Sequence, residues 1–267
     1  MKPESLELAA QSSHMHSIMN RPIVVFFLAF VVLWLATQLG AFLHRRGPDL
    51  NEDDRDDFNV VLTATLTLLG LIIGFSFSMS VSRYDQRKNY EEAEANAIGT
   101  EYVRADLLPP TDAARVRDLL RAYLDQRILN YRTSFENQLP PIDAKTAELQ
   151  NELWSAVRLP ASATPNPLMA VAVIGMNDVL NSQGYTQAAW WNRIPTAAWL
   201  MMFLIAICST LMIGFGSHKR HRALSLVLPV VAAIAFFLIA DIDSPRGGAI
   251  RVRPQNLEAL AQSLHPH

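Results

Sequence analysis

Hydrophobic and polar positions are sharply segregated along this chain. Four stretches, residues 22–43, 58–82, 194–217 and 223–240, contain no Asp, Glu, Lys or Arg. A charge at the centre of a bilayer helix costs about 2.5–3.5 kcal/mol, while each Leu, Ile or Phe there is favourable by about half a kcal/mol. Stretches this long and this free of charge predict four transmembrane helices. The shortest, 223–240, rises about 27 Å at 1.5 Å per residue, enough with its flanks for a hydrocarbon core of about 30 Å. The first is longer than the apolar core of a signal peptide, about 7–15 residues, and predicts a span that is retained.

Residues 44–57 read as a short acidic loop, with the second span starting at about Phe58. After the second span the pattern becomes that of packed soluble helices. Pro109–Pro110 ends one helix, and Thr111 or Asp112 is the expected cap of the next. Val116, Leu120, Tyr123, Leu124, Ile128 and Tyr131 then recur at helical spacing. Pro140–Pro141 is the next break, followed by a helix whose face is Leu149, Leu153, Trp154 and Val157. "LPASATPNP" reads as a linker, and a helix from about Leu168 carries Met169, Val173, Met176, Val179 and Leu180. Trp190 and Trp191 stand at the depth of an aromatic belt, and Pro195 takes a first-turn position in the third span.

The fold class is therefore all-α: a polytopic membrane protein with four transmembrane helices and a helical soluble insert between the second and third. Residues 1–21 form a flexible N-terminal tail and 22–82 the first transmembrane pair. Residues 83–193 form the soluble helical region, 194–242 the second pair, and 243–267 a C-terminal tail with a short amphipathic piece.

The stretch "GFSFSMSVSRYDQRKNYEEAEANAIGT", residues 74–100, predicts one helix that leaves the bilayer without a break. Ser76, Ser80, Arg83 and Arg87 share one face. Thr67, Leu71, Phe75, Ser78 and Ser82 form a second stripe that drifts across about 80°. Gly70 and Gly74 lie on a third face, at the spacing that lets two membrane helices approach closely. The serines fit helix packing, each hydroxyl bonded to the preceding turn. The second stripe also fits an aqueous lining in which an apolar constriction gives way to small hydroxyls; such a lining needs several copies of the chain. Arg83, Arg87 and Lys88 suit a snorkelling edge, with Arg87 and Glu91 an i,i+4 pair on a solvated face.

"LLGLIIGFSFSMSVSRYDQRKNYEEAEANAIGTEYVRADLL", "NDVLNSQGYTQAAWWNRIP" and "DIDSPRGGAIRV" together resemble the bestrophin-like domain proteins of bacteria, a family related to bestrophin channels. The resemblance covers about Arg21 to Leu257. It implies two spans, a cytosolic helical insert, two more spans and a cytosolic tail. Bestrophins are pentameric ion channels whose second helix lines the pore. The resemblance thus implies a homo-oligomer, a pentamer, in contact with membrane lipid in the inner membrane, with small inorganic ions as its partners. The neck of that family has bulky apolar residues at i, i+4 and i+8, ending in Gly-Phe ahead of a small polar stretch and an Arg. Here those positions fall on Thr67, Leu71 and Phe75, with Gly74–Phe75 and Arg83 in matching places. Thr67 departs from the apolar pattern. Positive charge is divided between the two sides of the membrane, so a cytoplasmic soluble region follows from the resemblance.

Composition narrows the alternatives. A net charge of −2 gives no general attraction to nucleic acid. A single cysteine, Cys208, excludes an intramolecular disulfide and a cysteine-based zinc site. "DLNEDDRDD" from Asp49 lacks the glycine and the final acid of an EF-hand, having Asp54 and Val60 in their places. In a channel these acids would crowd the outer mouth and favour cations. Asp241 and Asp243 fit a turn better than a calcium site. His14 and His16, or His218 and His221, have no carboxylate partners in sequence, so no metal and no cofactor are expected. No nucleophile elbow, phosphate loop or metalloprotease helix is present, so an enzyme is not expected. Two functions stay open: an oligomeric ion channel lined by the second helix, and a non-conducting scaffold or sensor that binds a partner through its soluble helices. The absence of intramembrane charge places a coupled transporter third.

Overall fold

The computed structural model describes residues 21–46, 52–216 and 224–264. The expected tail before Arg21, part of the acidic loop, the basic turn at 218–222, and His14, His16, His218 and His221 lie outside these residues. Among the described residues all regular structure is helical. The α-helices are α1 (Pro22–Arg46), α2 (Glu52–Arg104), α3 (Pro110–Arg132), α4 (Leu139–Ala163), α5 (Pro167–Trp191), α6 (Thr196–Gly216), α7 (Val227–Asp243) and α8 (Gln255–Leu264).

The second helix is unbroken over 53 residues, as the absence of breakers requires. It begins earlier than expected, at Glu52 rather than near Phe58. The acidic residues that suggested a loop supply its first turns instead, where negative charge complements the exposed N–H groups and the helix dipole.

The prolines also act differently from the expectation. Helix α3 starts at Pro110 with Pro109 as its cap residue, not Thr111 or Asp112. A proline in the first turn loses no hydrogen bond, since that N–H has no partner within the helix. Pro140 and Pro141 fall in the first turn of α4 for the same reason. The proposed linker is shorter than its composition suggests. Helix α4 continues through Pro160 to Ala163, and the Pro160 carbonyl still accepts from Thr164 N at 3.1 Å. Asn166 then caps α5, its side chain accepting from Leu168 N at 2.9 Å. Pro195 sits one residue ahead of α6, its carbonyl accepting from Ala198 N at 3.0 Å.

The chain divides into two compact units. One takes the sequence up to Ser82 together with Arg193–Ile250. Its core is built from Leu33 of α1, Leu69 of α2, Trp199 and Met202 of α6, and Phe236 of α7. Helices α1 and α6 approach until their backbones touch. A Cβ added at Gly40 would collide with the Leu211 carbonyl, and one at Gly214 with the Thr37 carbonyl. Among the described residues, three helical stretches are long and apolar enough to cross a membrane: Pro22–Arg46, Asp54–Leu107 and Pro167–Gly216. Helix α7 has 17 residues, rising about 26 Å.

The other unit comprises Arg83–Asn192 and the segment from Arg251. The predicted face of α3 is buried at every position named, from Val116 to Tyr131. It packs with Ile98 of α2, Leu153 and Val157 of α4, and Met176 and Val179 of α5. Leu257 of α8 joins this core and is fully buried.

Candidate functional site

The charge-free part of α2 presents two opposite faces. Leu69, Ser76 and Ser80 are buried, Leu69 in the core of its unit. At about 100° per residue they fall within roughly 40° of one another. Thr67, Leu71, Phe75, Ser78 and Ser82 are all exposed, Phe75 by 64%. Their arc is centred roughly opposite the buried seam. Only 11% of the most apolar part of this helix is buried within the chain, against 33% for each of the other two apolar stretches.

The exposed stripe is not uniformly apolar. Thr67 Oγ1 donates to the Thr63 carbonyl at 2.8 Å, and Thr65 Oγ1 to the Val61 carbonyl at 2.7 Å. These bonds satisfy the hydroxyl donors and leave oxygen lone pairs facing outward. On the buried seam, Ser80 Oγ donates to the Phe77 carbonyl at 2.8 Å. Gly70 and Gly74 are exposed, and a Cβ built at either meets nothing within 4 Å.

The "DIDSP" segment ends α7, and its two carboxylates hold the turn that follows and the chain ahead of α6. Asp241 Oδ1 accepts from Ala249 N and Oδ2 from Ile250 N, both at 2.8 Å. Asp243 accepts from Ile194 N at 3.2 Å and 3.3 Å. Gly248 lies against the Asp241 carbonyl, where a Cβ would clash. Each acid thus accepts from backbone amides that lie outside the helices.

In the second unit α2 carries a row of buried carboxylates. Arg87 and Glu91 are not a solvated pair, being 2% and 1% exposed. Glu91 caps α8: it accepts from Asn256 N at 2.9 Å, Leu257 N at 3.0 Å and Asn256 Nδ2 at 2.6 Å. Glu94 pairs with Arg127 and also accepts from Tyr131 Oη at 3.3 Å and Thr186 Oγ1 at 3.2 Å. Burial, then the charge of Glu94, pushes the phenols of Tyr123 and Tyr131 up. Glu101 is fully buried, and neither of its oxygens has a hydrogen-bond partner. Burial pushes its carboxyl up to about 8, with Arg104 lowering it and Asp178 raising it.

These acids were not anticipated as a group. Their spacing, at 91, 94, 98, 101 and 105 with Ile98 and Ala105 among them, is that of a buried helical stripe. Periodicity was the available signal, and charge masked it.

A family model for the bestrophin-like domain matches residues 26–257. Among solved structures, a bacterial bestrophin homolog from Klebsiella pneumoniae superposes with a TM-score of 0.63 at 15% identity, covering 91% of this chain and 99% of that one. A single-substitution variant of the Klebsiella pneumoniae homolog gives a TM-score of 0.63 at 14% identity, over 91% of this chain and 97% of that one. Likeness at this level of identity is likeness of fold. No curated protein matches the chain.

Proposed function

The chain belongs to the bestrophin-like domain family, and from that premise we propose that it forms an oligomeric ion channel lined by α2. Four spans cross the inner membrane in this reading, α7 being the fourth, and the soluble unit is cytoplasmic. Copies of the chain, five by likeness to bestrophins, surround the pore. Thr67, Leu71 and Phe75 form the neck, and Ser78 and Ser82 follow it. Gly70 and Gly74 admit a neighbouring helix.

The observation that carries this reading is the exposed stripe on α2. It lies opposite the buried seam and mixes the hydroxyls of Thr67, Ser78 and Ser82 with Leu71 and Phe75. A lipid-facing surface has no use for such hydroxyls, whereas a water-filled neck or a helix from another copy does. No acidic or basic side chain interrupts residues 58–82, so ions passing the neck would meet apolar and hydroxyl groups only.

Single-channel recording in planar bilayers, with purified protein and KCl or NaCl gradients, tests the proposal. Wild type gives discrete currents, and Phe75→Ala widens the neck and raises unitary conductance. Folded oligomers that stay silent across voltage, pH and calcium would overturn the channel and favour a non-conducting scaffold or sensor.

A further inference from the structure

Glu101 occupies an unusual position. Its side chain is fully buried, both carboxylate oxygens lack a hydrogen-bond partner, and one oxygen lies on the bare backbone of Gly175. A Cβ at Gly175 would collide with that oxygen and would stand 2.5 Å from Arg104 Nη1. The missing side chain at Gly175 therefore makes the room in which the carboxyl lies against α5. A buried carboxylate normally has donors around it, because an ionised group without them is strongly destabilised. A neutral carboxyl is not.

We infer that Glu101 is a proton-operated latch: its protonated carboxyl seats on Gly175 and holds α2 to α5, and loss of the proton loosens that contact. The surrounding charges fit this role. Arg104, one turn along α2, lies against the same glycine and favours the ionised carboxyl, which brings release of the proton within reach. Asp178, the one charged residue of α5, repels it across the contact. Asp106, in the turn after α2, pairs with Arg117 of α3, and Glu258 of α8 with Arg132. The latch belongs to the soluble unit and does not depend on conduction.

The sign follows from linkage. The closed contact holds the proton up to about pH 8, whereas a freed Glu carboxyl loses it near 4.5. Between those values the closed form binds more protons than the open one, so closure weakens as pH rises and levels off above about 8. Hydrogen exchange of the full-length protein in lipid nanodiscs, from pH 5 to 9.5 and normalised to intrinsic rates, reads this directly. Protection of the amides around Gly175 should fall by up to about tenfold per pH unit and then plateau. Glu101→Gln, which mimics the protonated form, should hold protection level, and Asp178→Asn should move the plateau to lower pH. A level wild-type profile, or a Glu101→Gln profile as steep as wild type, would overturn the inference. If Glu101→Gln fails to fold, the wild-type profile alone decides.

Discussion

Replacing Gly214 with alanine should separate α1 from α6. The added Cβ would collide with the Thr37 carbonyl oxygen and stand 2.8 Å from its carbon and 3.0 Å from Thr37 Cα. Gly40 is the reciprocal site: its Cβ would strike the Leu211 carbonyl oxygen and lie 2.8 Å from Phe215 N. All of these are backbone atoms, so no side chain can turn aside, and the helices must move apart. Overpacking of this kind costs about 1–3 kcal/mol, and a rigid backbone contact belongs at the upper end. Alanine returns about 1 kcal/mol through its better helix propensity. The net loss is therefore about 2 kcal/mol, roughly a 30-fold drop in the folding equilibrium. Equilibrium unfolding in mixed micelles measures it. Gly70→Ala and Gly74→Ala are the controls, since neither Cβ meets anything within 4 Å in the single chain. In dispersed chains both should be neutral or stabilising by up to about 1 kcal/mol. A loss for these two in the assembled state alone would register a neighbouring copy. A Gly214→Ala protein as stable as wild type would refute the reasoning about α1 and α6.

Two further predictions concern the unit built around α3. Glu94→Ala strands the buried guanidinium of Arg127 and should destabilise the protein by about 3–5 kcal/mol, with Glu94→Gln plus Arg127→Met recovering part of the loss in thermal denaturation. An undiminished Tm for Glu94→Ala would count against the pair. Glu91→Ala removes the acceptor of three hydrogen bonds at the start of α8, about 1–2 kcal/mol, so limited proteolysis near 251–264 should quicken by about tenfold. An unchanged cleavage rate would show that α8 is held without the Glu91 cap.

Much of the fold could be read from the sequence because apolar periodicity is strong where packing is simple. The face of α3 and the unbroken course of α2 are examples. Proline was a poorer guide. Pro109, Pro110, Pro140 and Pro141 occur where a helix begins, and Pro160 lies within the last turn of α4, so a proline-rich composition marks a boundary without saying on which side the helix lies. The close approach of α1 and α6 had a signal, small residues four apart at Ala36 and Gly40 and again at Thr210 and Gly214, but pairing them requires knowing which helices are neighbours. The buried acids of α2 were harder still. Glu91, Glu94 and Glu101 look like solvated helix until Asn256, Arg127 and Gly175 arrive from other helices.

The docking of α8 constrains how the protein can be made. Residues 83–192 leave the ribosome long before α8, and α6 and α7 are synthesised in between. Until the codons for α8 are read, Glu91 has no amides to cap and the seat of Leu257 lies open to water. The nascent second unit must therefore wait, with apolar surface and a row of acids exposed, while α6 and α7 are made. A stop codon just ahead of Gln255 would leave α1 to α7 whole and this unit without the helix that closes it.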